Sequence, residues 1–246
     1  MFKADGIIVF FENAIAVNDI SIRVDKGEIV GLFGPNSSGK TTILNVISGL
    51  ILHIKRKEER RGRERVSIKG RIYLDGMDIT HLWPDKRARM GLILSRERHA
   101  VFAESSVEEN LRIAEYMLKK RRLAHRIEEI YSIFPHLKII KDRKAGLLSG
   151  GEQQMLSISM ALIPEPRLIL MDEPLFGLSP SLYNELLHAI SKIRDSGTSI
   201  LIAEQFVAPL LSIIDKTYII ENGSLVFQGD KREMLDNEDI YSAYLG

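Results

Sequence analysis

The sequence lacks cysteine altogether and carries a single tryptophan among its 246 residues. Without thiols the chain can form no disulfide, no thiolate metal site and no cysteine nucleophile. An excess of charge of one sign is missing too, because 34 basic residues balance 33 acidic ones and leave a formal net charge of +1. This balance argues against a protein whose whole surface attracts nucleic acid or acidic lipid.

Long apolar segments are also absent. The longest, over residues 43–54, is interrupted by polar residues and is too short to span a bilayer. The first six residues contain no basic region leading into an apolar one, so no signal peptide is predicted. Hydrophobic residues still make up 45% of the chain, enough for a sizeable core. We therefore expect a soluble globular chain that reaches a membrane only through a partner.

One stretch departs from the even charge distribution. Over residues 55–71, nine basic residues stand against three acidic ones, a local charge of +6. Its first part, residues 55–65, has no apolar periodicity and contains Gly62, so we predict a solvated loop. A phosphate-binding patch for lipid or nucleic acid is the alternative, although no aromatic residue interleaves with these charges.

Short apolar runs predict an α/β core. Nearly all-apolar runs of this kind are typical of buried parallel strands, and they cover residues 29–33, 167–171 and 199–203. Helical spacing is found over residues 42–50, 181–195 and most of 107–163. Asn222-Gly223 lies between two further apolar runs and predicts a hairpin.

A glycine-rich stretch follows the first predicted strand and precedes the first predicted helix. It fits the pattern G-x-x-x-x-G-K-[ST] and reads Gly34, Pro35, Asn36, Ser37, Ser38, Gly39, Lys40, Thr41. In such a loop, backbone N–H groups and the helix N-terminus converge on phosphate oxygens, and small residues permit the close approach. Lys40 would reach the β- and γ-phosphates and the Thr41 hydroxyl would ligate Mg²⁺, with Thr42 included in the same site.

Two carboxylates end the second apolar strand. Asp172 and Glu173 lie where ligands bind in an open parallel sheet, at the carboxyl end of a strand. One acid there can hold Mg²⁺, directly or through water, and the other can orient and deprotonate an attacking water. Together with the upstream loop, the pair predicts ATP hydrolysis with Asp172 as a metal ligand and Glu173 as the catalytic residue.

A second glycine-rich turn opens a helix shortly before the two acids. It reads Leu148, Ser149, Gly150, Gly151, Glu152, Gln153, Gln154. At this motif the chain resembles the ATP-binding subunits of ABC transporters, whose signature is LSGGQ or LSGGE. The resemblance covers essentially the whole chain, with the motifs in the family's order and spacing.

The resemblance implies a fold and an assembly. The fold is α/β: a P-loop NTPase (RecA-like) core over 1–94 and 161–246, with an N-terminal antiparallel β part, and a helical signature subdomain over 95–160. Two ATPase subunits, identical or homologous, would pair head to tail, so that Ser149, Gly150, Gly151 and Glu152 act in trans on the partner's ATP. Separate transmembrane permease subunits would dock at the cytoplasmic face of the membrane. An extracytoplasmic solute-binding protein is expected, and nucleic acid is not.

Three further residues match family positions one at a time. Phe11 matches the aromatic residue that stacks on adenine, although a core strand residue is the alternative. Gln205 matches the switch position, usually histidine, that contacts the γ-phosphate; it can donate a hydrogen bond but cannot act as a proton carrier. Glu97 falls where a glutamine usually senses Mg²⁺ and the transmembrane partner.

Other positions depart from the family. Ser37 stands where glycine is usual, Met160 where an arginine is usual, and Ser179 where many members have aspartate. Several stretches resemble the second ATPase of branched-chain amino-acid uptake systems, with urea and short-amide importers nearest to it. They are residues 134–137, 145–146, 151–156, 203–205 and 242–246.

Two other interpretations stay open from the sequence. A soluble ABC ATPase acting on ribosomes or DNA is favoured only by the basic stretch. A degenerate cassette that binds ATP without hydrolysing it is suggested by Ser37, Met160 and Gln205, whereas the presence of Lys40 and Glu173 argues against it.

Overall fold

The computed structural model describes residues 1–62, 65–96, 101–114 and 123–244, which form two β-sheets with helices around them. The strands are β1 (Phe2–Phe11), β2 (Ala14–Val24), β3 (Ile29–Phe33), β4 (Val66–Leu74), β5 (Met77–Asp78), β6 (Leu92–Ser95), β7 (Leu168–Asp172), β8 (Ser199–Glu204), β9 (Lys216–Glu221) and β10 (Ser224–Asp230). The helices are α1 (Lys40–Ser48), α2 (Leu50–Glu59), α3 (Pro84–Arg89), α4 (Val107–Ala114), α5 (Leu123–Ile133), α6 (Pro135–Ile139), α7 (Gly150–Leu162), α8 (Pro180–Asp195), α9 (Lys231–Asp236) and α10 (Glu238–Tyr244).

The larger sheet has six strands in the order β10-β9-β3-β8-β7-β6. All neighbouring pairs are parallel except β10 and β9, which form the hairpin predicted at Asn222-Gly223. The three predicted parallel strands are therefore confirmed, and β7 lies one residue later than expected. The carboxyl ends of β3, β7 and β8 meet at one edge, which brings the phosphate-binding loop and the two acids together.

Side chains of this sheet alternate between two hydrophobic cores. Ile29 and Phe33 of β3 belong to the core shared with α4–α8, whereas Val30 and Leu32 belong to the core shared with α1 and the smaller sheet. Because both faces are covered, the central strands β3, β7 and β8 are apolar except at their ends, which explains their apolar sequence runs.

The smaller sheet is antiparallel, in the order β2-β1-β4-β5. It packs its inner face, including Val9, Val17 and Ile72, on the second core. The antiparallel part predicted at the N-terminus is thus confirmed.

Helix α1 begins two residues before the predicted position and also ends two residues earlier. Gly49 adopts a left-handed backbone (φ 84°) that stops α1, and α2 starts at the next residue. The buried Arg87 side chain then secures the C-terminus of α1, because its guanidinium donates to Val46 O and Ile47 O, each at 2.7 Å.

The predicted solvated loop over residues 55–65 is wrong in its first half. Helix α2 continues to Glu59, because lysine, arginine and glutamate are good helix formers. Lys55 pairs with Glu59 at 3.8 Å one turn away, and the Arg56 guanidinium lies 5.2 Å from the centre of the Trp83 ring. Within the described ranges, no helix is both long and apolar enough to cross a membrane.

Candidate functional site

The loop between β3 and α1 is held tightly by its neighbours. A Cβ atom on Gly34 would lie 2.1 Å from Ile220 O, and one on Gly39 would lie 2.8 Å from Ala16 O. Both glycines also have positive φ angles, 152° and 109°. Only glycine fits these two positions, so the first and sixth positions of the motif are fixed by packing as well as by phosphate approach.

The loop also contains one non-glycine residue in the left-handed region. Ser37 has φ 64°, a conformation that costs an L-residue roughly 1–2 kcal/mol. Ser37 therefore replaces the family's usual glycine at a position whose backbone conformation favours glycine. The neighbouring Ser38 hydroxyl is buried and has no hydrogen-bond partner among the described residues, as expected of a group that serves a ligand.

Helix α1 presents its N-terminus to this loop. Its N-cap, Gly39, offers no side-chain cap, so the first-turn N–H groups of Lys40, Thr41 and Thr42 are not satisfied by one. These donors and the positive end of the helix dipole together favour an anion at this place.

Lys40 carries a buried ammonium, 4% exposed, into the same place. Its Nζ donates to Gly34 O at 2.8 Å and to Pro35 O at 3.1 Å, and lies 3.8 Å from Oε1 of Glu173. Burial lowers the pKa of Lys40 below its usual value, although the nearby carboxylates, Glu173 first, act in the opposite direction. The ammonium is thus available to any acceptor that replaces the two loop carbonyls.

Thr41 and Asp172 meet across the sheet edge. The Thr41 hydroxyl donates to Oδ1 of Asp172 at 3.2 Å. A hydroxyl and a carboxylate are hard oxygen donors, which fits Mg²⁺. In the part of the chain that the structure describes, no three His, Asp or Glu side chains converge as a metal site.

Glu173 follows Asp172 in a left-handed backbone conformation (φ 46°). Its N–H donates to Ala203 O at 2.9 Å, and its side chain is 19% exposed and therefore partly accessible. Non-glycine residues held in this region carry backbone strain and occur often at functional sites. A carboxylate so placed beside Lys40 can accept a proton from water.

Two residues at the end of β8 complete the edge. Glu204 is 7% exposed, and burial raises its pKa to about 7 against the lowering effect of two backbone hydrogen bonds. The half-buried Gln205 follows it, and its N–H donates to Oε2 of Glu204 at 3.3 Å. Gln205 was predicted as a site residue and Glu204 was not, because nothing in the sequence indicates that a glutamate at the end of a strand is buried.

A cavity of about 520 Å³ joins part of the predicted phosphate-binding loop to Phe11 and Glu173. Its lining includes Phe11, Ser37, Gly39–Thr42 and Glu173. Half-buried Phe11 contacts the second core and this cavity at once, so both predicted roles stay compatible with its position. The hairpin turn was predicted from the sequence, but its position at this cavity was not. Gly223 lines the cavity and its N–H donates to Ser38 O at 3.0 Å.

The signature residues do not line this cavity; they open α7 elsewhere. Ser149 caps the helix by accepting from the N–H of Glu152, and Oε1 of Glu152 is bound to His136 at 2.8 Å. Gly150 is exposed with open space around it, whereas Gly151 is buried under α8. Within one chain the motif therefore starts α7 and leaves Ser149 and Gly150 exposed.

Glu97, the third predicted metal ligand, lies outside the described residues.

A larger cavity of about 960 Å³ lies at the opposite edge of the sheet, near Lys26 and Thr198. Its arginines pair with neighbouring acids, for example Arg167 with Asp75 at 2.6 Å.

The family model described as ABC transporter matches residues 17–176, which include the loop, the signature and both acids. The chain belongs to the ABC transporter family. It is an ATP-binding and ATP-hydrolysing subunit of that family, and its α/β cassette fold agrees with the sequence prediction.

Its relatives differ in what they transport. The chain is 31% identical to the high-affinity branched-chain amino acid transport ATP-binding protein BraG of Pseudomonas aeruginosa, over the whole of both chains. It is 35% identical to a probable branched-chain amino acid transport ATP-binding protein, LivF of Archaeoglobus fulgidus, over 93% of this chain and 91% of the relative. It is also 33% identical to the lipopolysaccharide export system ATP-binding protein LptB of Escherichia coli, over 99% and 96%.

Solved structures agree with the cassette fold. An ATP-binding cassette of an ABC transporter in its ADP conformation is 28% identical, with a TM-score of 0.81 over 100% of this chain and 98% of that one. A nucleotide-free cassette gives a TM-score of 0.83 at 27% identity, over 100% and 99%.

Proposed function

We propose that this cassette hydrolyses Mg-ATP at the edge formed by β3, β7 and β8 and thereby powers import of branched-chain or other hydrophobic amino acids. The observation that carries the catalytic part is the pairing of Lys40 with Glu173 beside the Thr41–Asp172 contact. The BraG and LivF relatives support the choice of solute.

Each residue of the site is proposed to bind one part of Mg-ATP or the attacking water. Backbone N–H groups of residues 34–42 and the Lys40 ammonium bind the β- and γ-phosphates. Thr41 and Asp172 would hold Mg²⁺, with Glu97 proposed as a further ligand, and the ion would supply positive charge beside the phosphates. Glu173 orients the attacking water and takes its proton, and the Gln205 amide donates a hydrogen bond to the γ-phosphate. Phe11 stacks on adenine.

The assembly is proposed on the same basis. A second cassette, identical or homologous, places its Ser149, Gly150, Gly151 and Glu152 over the ATP held by this chain. Transmembrane permease subunits and an extracytoplasmic solute-binding protein complete an importer, with the cassettes at the cytoplasmic face of the membrane. The helical subdomain over 95–160, within a core over 1–94 and 161–246, is proposed as the lobe that contacts the permease.

One other solute class has a specific observation in its favour. The LptB relative is as similar as the amino-acid relatives are, so lipopolysaccharide export is the second candidate. The urea or short-amide importer and the soluble non-transport ATPase stay as weaker alternatives.

Capture of the chain from detergent-solubilised membranes of cells that produce it separates these candidates. The proposal expects permease subunits to remain bound, and the reconstituted complex to take up leucine in an ATP-dependent manner. Uptake of urea without leucine would move the assignment to the amide importers. Lipopolysaccharide-export components in the captured complex would overturn the import proposal.

A further inference from the structure

Glu204, the last residue of β8, is a buried carboxylate to which the proposed hydrolysis gives no role. The rest of its strand is apolar apart from Ser199, as a buried parallel strand requires. Burying an acid is unfavourable unless hydrogen bonds compensate for the lost water. The position therefore calls for an account of what the carboxylate binds.

Both carboxylate oxygens accept backbone N–H groups from two different loops. Oε1 accepts the N–H of Leu175 at 2.7 Å, in the turn that follows Glu173. Oε2 accepts the N–H of Gln205 at 3.3 Å, in the turn that follows β8. A carboxylate has two acceptor oxygens, whereas a glutamine amide has one, so only an acid can bind these two N–H groups through separate oxygens.

The Leu175 contact belongs to a set of bonds that fix Glu173. Ala203 O, one residue before Glu204, accepts the Glu173 N–H at 2.9 Å, and Glu173 O accepts the Phe176 N–H at 3.1 Å. Ala203 and Glu204, two successive residues of β8, thus accept hydrogen bonds from the turn that begins at Glu173. The left-handed conformation of Glu173 persists only where its surroundings determine it, and these bonds do so.

The charges around Glu204 are compatible with this role. Glu173 and Lys40 are the charged side chains that act on it, the first from the end of β7 and the second from α1. Lys40 lies near both acids and offsets their mutual repulsion.

We propose that Glu204 is a positioning residue for ATP hydrolysis, whose carboxylate ties the turn that carries Glu173 to the turn that carries Gln205. The inference rests on the proposed functions of those two residues. On this inference Glu173, the proposed general base, and Gln205, whose side-chain amide faces the γ-phosphate, move together. They do so because the Glu204 carboxylate binds backbone N–H groups in both turns.

Three variants test this tether, by which we mean the two hydrogen bonds from the Leu175 and Gln205 N–H groups to the Glu204 carboxylate. Glu204→Ala removes both acceptors, and Glu204→Gln keeps the size but leaves one acceptor oxygen. Ile202→Val, a buried change in the same strand, is the matched control for a loss of packing alone. For each variant, kcat and KM for ATP and the hydrogen exchange of the Leu175 and Gln205 amides are measured, with thermal melting to show that the variant is folded.

In Glu204→Ala, kcat is expected to fall about 10- to 100-fold with KM little changed, because a misplaced general base affects the chemical step. Glu204→Gln gives an intermediate kcat, and Ile202→Val keeps the parent value. Exchange of the two amides quickens about tenfold or more in Glu204→Ala. Parent-like kcat in a folded Glu204→Ala, or an equal loss in Ile202→Val, would overturn the inference.

The exchange measurement separates this inference from the proposed function. A parent chain without turnover contradicts the proposed function, while faster exchange in Glu204→Ala still supports the tether. Unchanged exchange at both amides contradicts the tether, even if the parent hydrolyses ATP.

Discussion

The Nζ atom of Lys40 lies 3.8 Å from Oε1 of Glu173, and this pair joins the phosphate-binding loop to the end of β7. The same ammonium donates to Gly34 O and Pro35 O. A phosphate that binds Lys40 must compete with these acceptors. In the proposed function, phosphate binding to Lys40 would take a charge partner from Glu173 and leave its carboxylate to bind water.

Replacing Lys40 by methionine should weaken ATP binding by about 10- to 100-fold, because a charge-assisted hydrogen bond contributes about 1.5–3 kcal/mol. Titration calorimetry with ATP measures the change. Lys26→Met removes an exposed lysine at the opposite edge of the sheet and should bind ATP as the parent does. Equal affinities of Lys40→Met and the parent would contradict the assigned role.

Ser37→Gly should stabilise the protein by about 1 kcal/mol, since it relieves the left-handed backbone at φ 64°. The control is Ser67→Gly, at an exposed position inside β4, where glycine should destabilise by about 0.5–1 kcal/mol. Denaturant unfolding of the two variants should shift in opposite directions. Shifts of the same sign would show that the strain at Ser37 is not felt.

The two signature glycines should behave differently. A Cβ atom on Gly151 would lie 2.5 Å from Cδ1 of Leu182, so Gly151→Ala forces this side chain to move and should be less stable than Gly150→Ala by about 1 kcal/mol. Gly150 has open space, and Gly150→Ala should keep its stability but lose ATP turnover if this residue acts on the partner's nucleotide. Unfolding and steady-state ATPase assays separate the two effects. Full turnover in Gly150→Ala would contradict action in trans.

The extent to which sequence predicted structure depended on how local each signal was. The strands and the loop Gly34–Thr41 were predicted because apolar runs and a fixed motif lie within a few residues. The helical continuation of α2 to Glu59 was not, because lysine- and glutamate-rich segments suit both a solvated loop and an exposed helix. The helix is supported by the Lys55–Glu59 pair and by the contact of Arg56 with Trp83, which joins distant parts of the chain.

The candidate site shows the same division. Lys40, Thr41, Asp172 and Glu173 converge as predicted, since strand order places the ends of β3 and β7 at one edge. Glu204 was passed over because its role depends on a hydrogen bond to Leu175, 29 positions away. Tertiary contacts of this kind leave no periodic trace in a sequence.

The contribution of Glu204 to the stability of the protein should fall as pH rises from about 4.5 to about 7. The folded state raises the pKa of Glu204 from 4.5 to about 7, so it binds the proton more tightly than the unfolded chain does. This contribution is fully present below pH 4.5 and is lost as pH rises through 7, with a total of about 3 kcal/mol. Glu204→Gln should remove this slope.

Urea unfolding of the parent and Glu204→Gln at a series of pH values measures the difference. The free energy of unfolding of the variant, relative to the parent, should increase across this range. A constant difference between the two proteins would show that Glu204 does not titrate with a raised pKa.

Glu173 is proposed to promote hydrolysis of ATP bound at this edge, and the variant Glu173→Gln gives the sharpest test of that role. ATP affinity by calorimetry and steady-state ATPase activity are compared in the parent, Glu173→Gln and Glu238→Gln, an exposed change on α10. We expect Glu173→Gln to bind ATP about as tightly as the parent but to turn it over at least about 100-fold more slowly, while Glu238→Gln matches the parent in both. Hydrolysis by Glu173→Gln at the parent rate would show that Glu173 is not the catalytic base.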